Sequence, residues 1–129
     1  MRENKRGNKS ETKYGFNMIY ISFSQQSNKI LPNMICNKYK HCAPVVIKRN
    51  KCFMYQFTSQ RNICIICLNK KDLQILKQYG WVFVKYNNKI NLQNCLYTKS
   101  LTCVQFTKKF CNIKKLKIQT PDSLLKYIS

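Results

Sequence analysis

Residues 62–86 read NICIICLNKKDLQILKQYGWVFVKY, and they carry the clearest secondary-structure signals of the chain. It begins with a β-branched run over 63–68, which is too short for an ordinary helix and is typical of a buried strand. A helical pattern with a polar start follows over 69–79, and residues 81–86 alternate as a second strand. The order therefore predicts a strand, a helix and a strand with short connections.

The ends of this helix carry their own signals. Asn69 is predicted as the N-cap, because its side-chain oxygen can accept a backbone N–H that the first turn leaves unpaired. Asp72 then occupies the third helical position and favours the positive end of the helix dipole. Gly80 is suited to end the helix, since glycine adopts the left-handed conformation without steric cost.

A fourth element is predicted after the second strand. Asn87 and Asn88 form a plausible two-residue hairpin turn, and residues 89–93 then alternate polar and apolar. The whole predicts a small α+β domain with a β-α-β-β core over 62–93. Its apolar residues are interpreted as core, because packing is what such patterns usually reflect.

The rest of the chain is predicted to add short strands and a closing helix. Strands are expected over 16–24, 44–48, 52–58 and 101–106. Thr120, Pro121 and Asp122 form a helix start, with a cap, a proline in the first turn and an acid near the dipole. Leu124, Leu125 and Ile128 would dock this helix. Residues 1–13 are expected to be a disordered basic arm, and 14–129 a single domain.

Charge is the strongest compositional signal. The 129 residues include 24 Lys and Arg against 4 Asp and Glu, a formal net charge of +20. Self-repulsion on that scale opposes compaction, so a polyanionic partner would help. RNA or DNA is the first candidate and an acidic membrane surface the second. No apolar run approaches the roughly 18 residues of a transmembrane helix, so we expect a soluble intracellular protein.

Base composition offers an alternative origin for the charge. Phe, Tyr, Met, Ile, Asn and Lys, which are encoded by A/T-rich codons, make up just over half of the chain. The basic residues are mostly Lys, whereas selection for bidentate phosphate contacts tends to bring in Arg. Residues with G-first codons are scarce as well. A reading frame without a selected function is therefore an alternative hypothesis, and it predicts that no folded product accumulates in the cell.

Candidate nucleic-acid contacts lie in three basic groups. They are Lys48, Arg49 and Lys51; Lys108 and Lys109; and Lys114, Lys115 and Lys117. Aromatic residues interleaved with lysines could stack unpaired bases: Tyr14, Phe16, Tyr39, Tyr55, Phe57, Tyr97, Phe106 and Phe110. No recognised RNA- or DNA-binding signature is present, so contacts would be mainly to phosphates and show little sequence preference.

The cysteines raise a second hypothesis, a zinc-stabilised interaction module. Thiolates and one imidazole can bind zinc tetrahedrally, and the candidate ligands are Cys36, His41, Cys42, Cys64 and Cys67. The pair Cys64 and Cys67 resembles the first ligand pair of a RING finger, but no Cys-x-His pair and no second Cys-x-x-Cys follow. The RING assignment is therefore rejected. If 63–68 is a strand, Cys64 and Cys67 point to opposite faces and cannot share a metal. Buried, reduced thiols are the simpler interpretation.

Few residues of the chain could act as catalytic groups. Glu3 and Glu11 lie in the presumed arm, and Asp72 and Asp122 are explained as helix-terminus residues. His41 is the only histidine, and no third group is available to orient a Cys–His nucleophile. No glycine-rich phosphate loop can be built from three isolated glycines. We therefore expect a protein that is not an enzyme and carries no cofactor other than the zinc considered above.

Overall fold

One antiparallel sheet organises the residues that the computed structural model describes, which are 18–25, 39–58, 60–91 and 99–129. Five strands and three helices occur among them. In chain order they are β1 (Met18–Ser24), β2 (His41–Lys48), β3 (Lys51–Phe57), β4 (Ile63–Leu68), α1 (Lys70–Gln78), β5 (Val82–Lys85), α2 (Cys103–Phe110) and α3 (Pro121–Ile128). The predicted α+β class is confirmed.

The strand order is β4-β3-β2-β1-β5, and every neighbouring pair is antiparallel. The register is fixed by pairs such as Tyr20 with Val45 and Val45 with Met54. Because β4 and β5 occupy opposite edges and run in the same direction, α1 must cross a face of the sheet to connect them. The predicted strand, helix and strand are confirmed, but the two strands do not pair with each other.

Successive side chains point to opposite faces of the sheet, and those of each face form an apolar cluster. Under α1, Ala43, Val45 and Met54 pack against Leu73 and Leu76 of the helix. The opposite face carries the larger cluster and is covered by α2 and α3. Its most buried side chains include Ile21, Phe23, Phe106, Phe110 and Leu124.

Local signals set the ends of α1 as predicted. The Asp72 backbone N–H donates to the Asn69 side-chain oxygen at 2.7 Å, and the Asn69 N–H donates to the Asp72 carboxylate at 3.0 Å, a reciprocal capping box. At the other end, Gly80 has φ +92°, and the Trp81 N–H donates to the Leu76 carbonyl at 3.0 Å. This bond, with that from Gly80 to Lys77, forms a Schellman termination.

The prediction that 63–68 is a buried strand is wrong in its burial. β4 is an edge strand paired only with β3 on one side, and Ile65 is 54% and Ile66 39% exposed. On α1, Ile75 and Tyr79 also face solvent. On one face of the sheet, α1 packs over Ala43, Val45 and Met54, which leaves Ile66 exposed. Ile65 projects from the opposite face, where β4 is the edge of the sheet.

Two further predictions are corrected. Residues 89–91 form no strand, and 92–93 lie outside the described residues. The strand predicted over 101–106 is wrong, because helix α2 begins at Cys103, with Thr102 as its N-cap accepting the Gln105 N–H at 3.1 Å. The helix wins because it places Val104, Phe106 and Phe110 together on the core face.

The closing helix α3 is confirmed at its start and in its packing. Thr120 caps it, Pro121 is in the first turn, and Leu124 is fully buried. The predicted arm over 1–13 and the first residues of the strand predicted over 16–24 lie outside the described residues. Of the helices described, none is long and apolar enough to cross a membrane.

Tyr86 ties the residue after β5 to the end of α2. Its hydroxyl donates to the Cys111 carbonyl at 2.6 Å, and the side chain is buried. Burial raises the pKa of Tyr86 from 10.0 to about 12, with the nearby Cys111 thiol contributing in the same direction. Since the folded-state pKa is the higher one, this contribution to stability is complete below about pH 10 and is lost as the pH rises through about 12.

Replacing Tyr86 with phenylalanine should therefore lower the free energy of unfolding by about 1–2 kcal/mol at neutral pH, because the Cys111 carbonyl loses its donor. Urea unfolding of both proteins from neutral pH up to about pH 12 checks this. The difference between them should shrink as tyrosinate forms. A difference that stays constant with pH would show that the hydroxyl bond has no such role.

Candidate nucleic-acid interface

The β2–β3 hairpin concentrates positive charge in a rigid turn. Arg49 and Asn50 both have left-handed backbones, with φ 52° and 65°, which is the geometry of a type I′ two-residue turn. Lys48 and Lys51 flank them as directly opposed register partners. Three cationic side chains are thus held within four residues, and Arg49 and Lys51 are exposed.

The sheet register brings a second cationic pair to the same end. Cys52, next to Lys51, pairs with Leu68, so β4 ends beside the start of β3. Lys70 and Lys71 follow at once as the first residues of α1, and both are exposed. We call Lys48, Arg49, Lys51, Lys70 and Lys71 the basic corner. The sequence analysis missed Lys70 and Lys71, because only the pairing of β3 with β4 brings them to the hairpin.

The electrostatics of the basic corner favour an anion. Asp72 is the acidic residue of the first turn of α1, and one of its carboxylate oxygens is held by the Asn69 N–H. Lys70 and Lys71 lie at the positive end of the helix dipole, an arrangement that destabilises the helix by about 0.3–1 kcal/mol per charge. A phosphate placed here would offset both the like-charge repulsion and this dipole term.

Lys108 and Lys109, predicted as phosphate contacts, have partners within the chain. The Lys108 ammonium donates to the carbonyls of Lys115 at 2.5 Å and Ile118 at 2.8 Å, and burial lowers the pKa of Lys108. The Lys109 ammonium donates to the Lys99 carbonyl. These contacts tie the segment between α2 and α3, and the segment before α2, to the helix. Both ammoniums thus have partners within the chain, and their role as phosphate contacts stays a prediction.

The third predicted group is separate from the basic corner. Lys114, Lys115 and Lys117 are exposed in the connection between α2 and α3, the two helices that cover the sheet face opposite α1. The Lys115 ammonium lies 5.9 Å from the centre of the Tyr127 ring. The eight predicted residues thus lie in the β2–β3 hairpin, on α2 and in the connection between α2 and α3.

Those residues of the predicted aromatic set that the structure describes form no base-stacking platform. Five of those predicted to interleave with lysines are buried in the core: Tyr39, Tyr55, Phe57, Phe106 and Phe110. Phe57 stacks on Phe106 with ring centres 5.6 Å apart, and Tyr55 packs against Phe110 at 5.2 Å. Tyr14, Phe16 and Tyr97 lie outside the described residues. The five described members of this set are therefore closed to base stacking.

The predicted zinc ligands are only partly described. Within strand β4, Cys64 pairs with Gln56 and Cys67 with Phe53, so their side chains project from opposite faces of the sheet. His41 Nε2 lies 2.5 Å from the Gln56 side-chain oxygen. Over the described part of the chain, no group of three or more His, Cys, Asp or Glu side chains could hold a metal. Cys36 lies outside it, so the full ligand set stays a prediction.

The two described carboxylates serve helix ends. Asp72 belongs to the capping box of α1, and an Asp122 carboxylate oxygen accepts the Tyr39 backbone N–H at 3.1 Å.

No protein-family model matches the chain, and neither the curated proteins nor the solved structures contain a match. Function must therefore be argued from the residues themselves.

Proposed function

We propose that this protein binds nucleic acid, RNA or DNA, without marked sequence preference, holding phosphates at the basic corner. The observation that carries the proposal is the β3–β4 register. It unites the hairpin cations with Lys70 and Lys71, which lie about twenty residues further along the chain, against the single first-turn acid Asp72.

The chemistry of the basic corner supports phosphate contact over base readout. Lysine ammoniums act as point charges that satisfy phosphate oxygens in many orientations, whereas base specificity needs planar, directed donors. Four of the five cations are lysines. Tyr55, Phe57 and Phe106 are buried, so these rings are closed to base stacking. The proposed role is binding without catalysis.

Salt dependence is the test of this mode. If the basic corner neutralises four to five phosphates of a duplex, the logarithm of the association constant should fall with log salt at a slope of roughly −4. Affinity should then drop roughly 10²–10³-fold between 50 and 200 mM salt. Fluorescence anisotropy with labelled duplexes of two unrelated sequences measures this, and the two sequences should bind alike.

The same titration separates other outcomes. Binding that is absent, or independent of salt, would contradict the proposal. Vesicles containing anionic lipid, tested at the same salt concentrations, address the alternative of an acidic membrane surface. Tighter binding to vesicles than to either duplex would move the proposal to that partner.

A further inference from the structure

A pair of thiols lies inside the fold, away from the basic corner. Cys42, the second residue of β2, is 1% exposed, and its thiol donates to the Thr107 hydroxyl at 3.5 Å. Thr107 lies one helical turn after Cys103, so the two side chains share one face of α2. Cys103 is half-buried and packs against the same cluster. The cysteine of the strand and the first cysteine of the helix are therefore neighbours.

The two sulfurs differ in their surroundings. Cys103 lies within hydrogen-bonding reach of the Cys42 side chain and of the His41 side chain. Cys42 is buried, whereas Cys103, at the first position of α2, is half-buried. A peroxide that enters from solvent therefore meets the Cys103 sulfur first, and the Cys42 sulfur lies next to it.

We propose that Cys103 and Cys42 are a redox modification site, in which hydrogen peroxide converts the pair into a reversible disulfide joining α2 to β2. The Cys103 thiolate attacks the peroxide, forming a sulfur–oxygen bond while the oxygen–oxygen bond breaks and hydroxide leaves. Cys42 then attacks the Cys103 sulfenic acid. A sulfur–sulfur bond forms, the sulfur–oxygen bond breaks, and the departing oxygen leaves as water with the Cys42 proton. Two electrons pass from the two sulfurs to one peroxide.

Other described cysteines supply internal comparisons. Cys64 and Cys67 are exposed, but they project from opposite faces of β4 and cannot bridge to each other. Cys111 is fully buried at the end of α2. It lies eight positions after Cys103, about 12 Å along the helix axis, which is beyond the span of a disulfide.

Mapping of the oxidised protein tests the assignment. The full chain is treated with limiting hydrogen peroxide, the remaining thiols are alkylated at intervals, and the digest is analysed by mass spectrometry. A peptide linking Cys42 to Cys103 should form, and dithiothreitol should reverse it. Cys42 and Cys103 that both stay open to alkylation while Cys64 and Cys67 are oxidised would overturn the proposal, as would a Cys103 linked to Cys36 or Cys95.

Three variants define the roles of the sulfurs. In Cys42→Ser, oxidation should stop at a Cys103 sulfenic acid that a dimedone probe labels, and in Cys103→Ser no intramolecular link to Cys42 should form. Cys111→Ser is the matched control and should form the link at the wild-type rate. Loss of the link in Cys111→Ser, with a native circular dichroism spectrum, would make Cys111 the participant instead. Should Cys42→Ser fail to fold, the wild-type mapping and Cys103→Ser still decide.

Discussion

Replacing Phe106 with alanine is expected to lower the free energy of unfolding by about 3–5 kcal/mol. Phe106 is 1% exposed, stacks on Phe57 at an interplanar angle of 18°, and contacts Phe110 with ring centres 6.5 Å apart. Truncation would leave a cavity between α2 and β3 that neither neighbouring ring can fill without leaving its own contact. The total free energy of unfolding of a small domain is about 5–15 kcal/mol, so the variant should be close to unfolding at 37 °C.

Urea unfolding monitored by circular dichroism measures this change, provided that the dependence of the free energy on urea stays the same. Leu116→Ala is the control, because Leu116 is 84% exposed and its truncation should alter stability by less than about 0.5 kcal/mol. Equal effects of the two substitutions would contradict the placement of α2 over the sheet.

The sequence predicts a strand over 101–106, whereas Phe106 lies in helix α2. Thr102, Val104 and Phe106 alternate and favour a strand by residue type. A helix signal is also present in the sequence. Thr102 is followed three residues later by Gln105, which is the spacing of a capping pair. Burial of the apolar face outweighs the local preference for a strand, because only the helix puts Phe106 and Phe110 on one buried face.

The elements of 62–86 were predictable, whereas their arrangement was not. Asn69, Asp72 and Gly80 act through contacts within one turn, so their residue types suffice. Which strands pair depends on the whole sheet, and β4 and β5 prove to be its two edges. The exposure of Ile65 and Ile66 follows from that arrangement and from no local pattern.

The basic corner was likewise only partly predictable from the sequence. The hairpin cations Lys48, Arg49 and Lys51 were predictable from a basic turn between two strands. Lys70 and Lys71 become neighbours of that turn through the pairing of Cys52 with Leu68, a contact between distant residues. The hydrogen bonds from Lys108 to the Lys115 and Ile118 carbonyls likewise depend on the path of the chain after α2, which folds back on the helix.

Reversing the charge of both Lys70 and Lys71, as Lys70→Glu and Lys71→Glu in one chain, should weaken nucleic-acid binding while making the protein more stable. Two phosphate contacts are lost, so the salt slope should become shallower by roughly 1.8 and affinity at 50 mM salt should fall roughly 10²-fold. The new carboxylates lie at the positive end of the α1 dipole, which should add about 0.3–1 kcal/mol each to the free energy of unfolding. Anisotropy titrations and urea unfolding of the same preparation measure both quantities.

The matched control is the double variant Lys77→Glu and Lys126→Glu. Both lysines are exposed in the last turns of their helices, α1 and α3, and the change in net charge is identical. Here the dipole acts with the opposite sign, so stability should fall by about 0.3–1 kcal/mol per residue, while binding should change only through the overall charge. Equal loss of affinity in the two double variants would show that binding follows net charge and has no site at the basic corner. Opposite changes in affinity and stability at Lys70 and Lys71 alone would separate a binding role from a structural one, since a residue kept for the fold cannot be replaced to the benefit of stability.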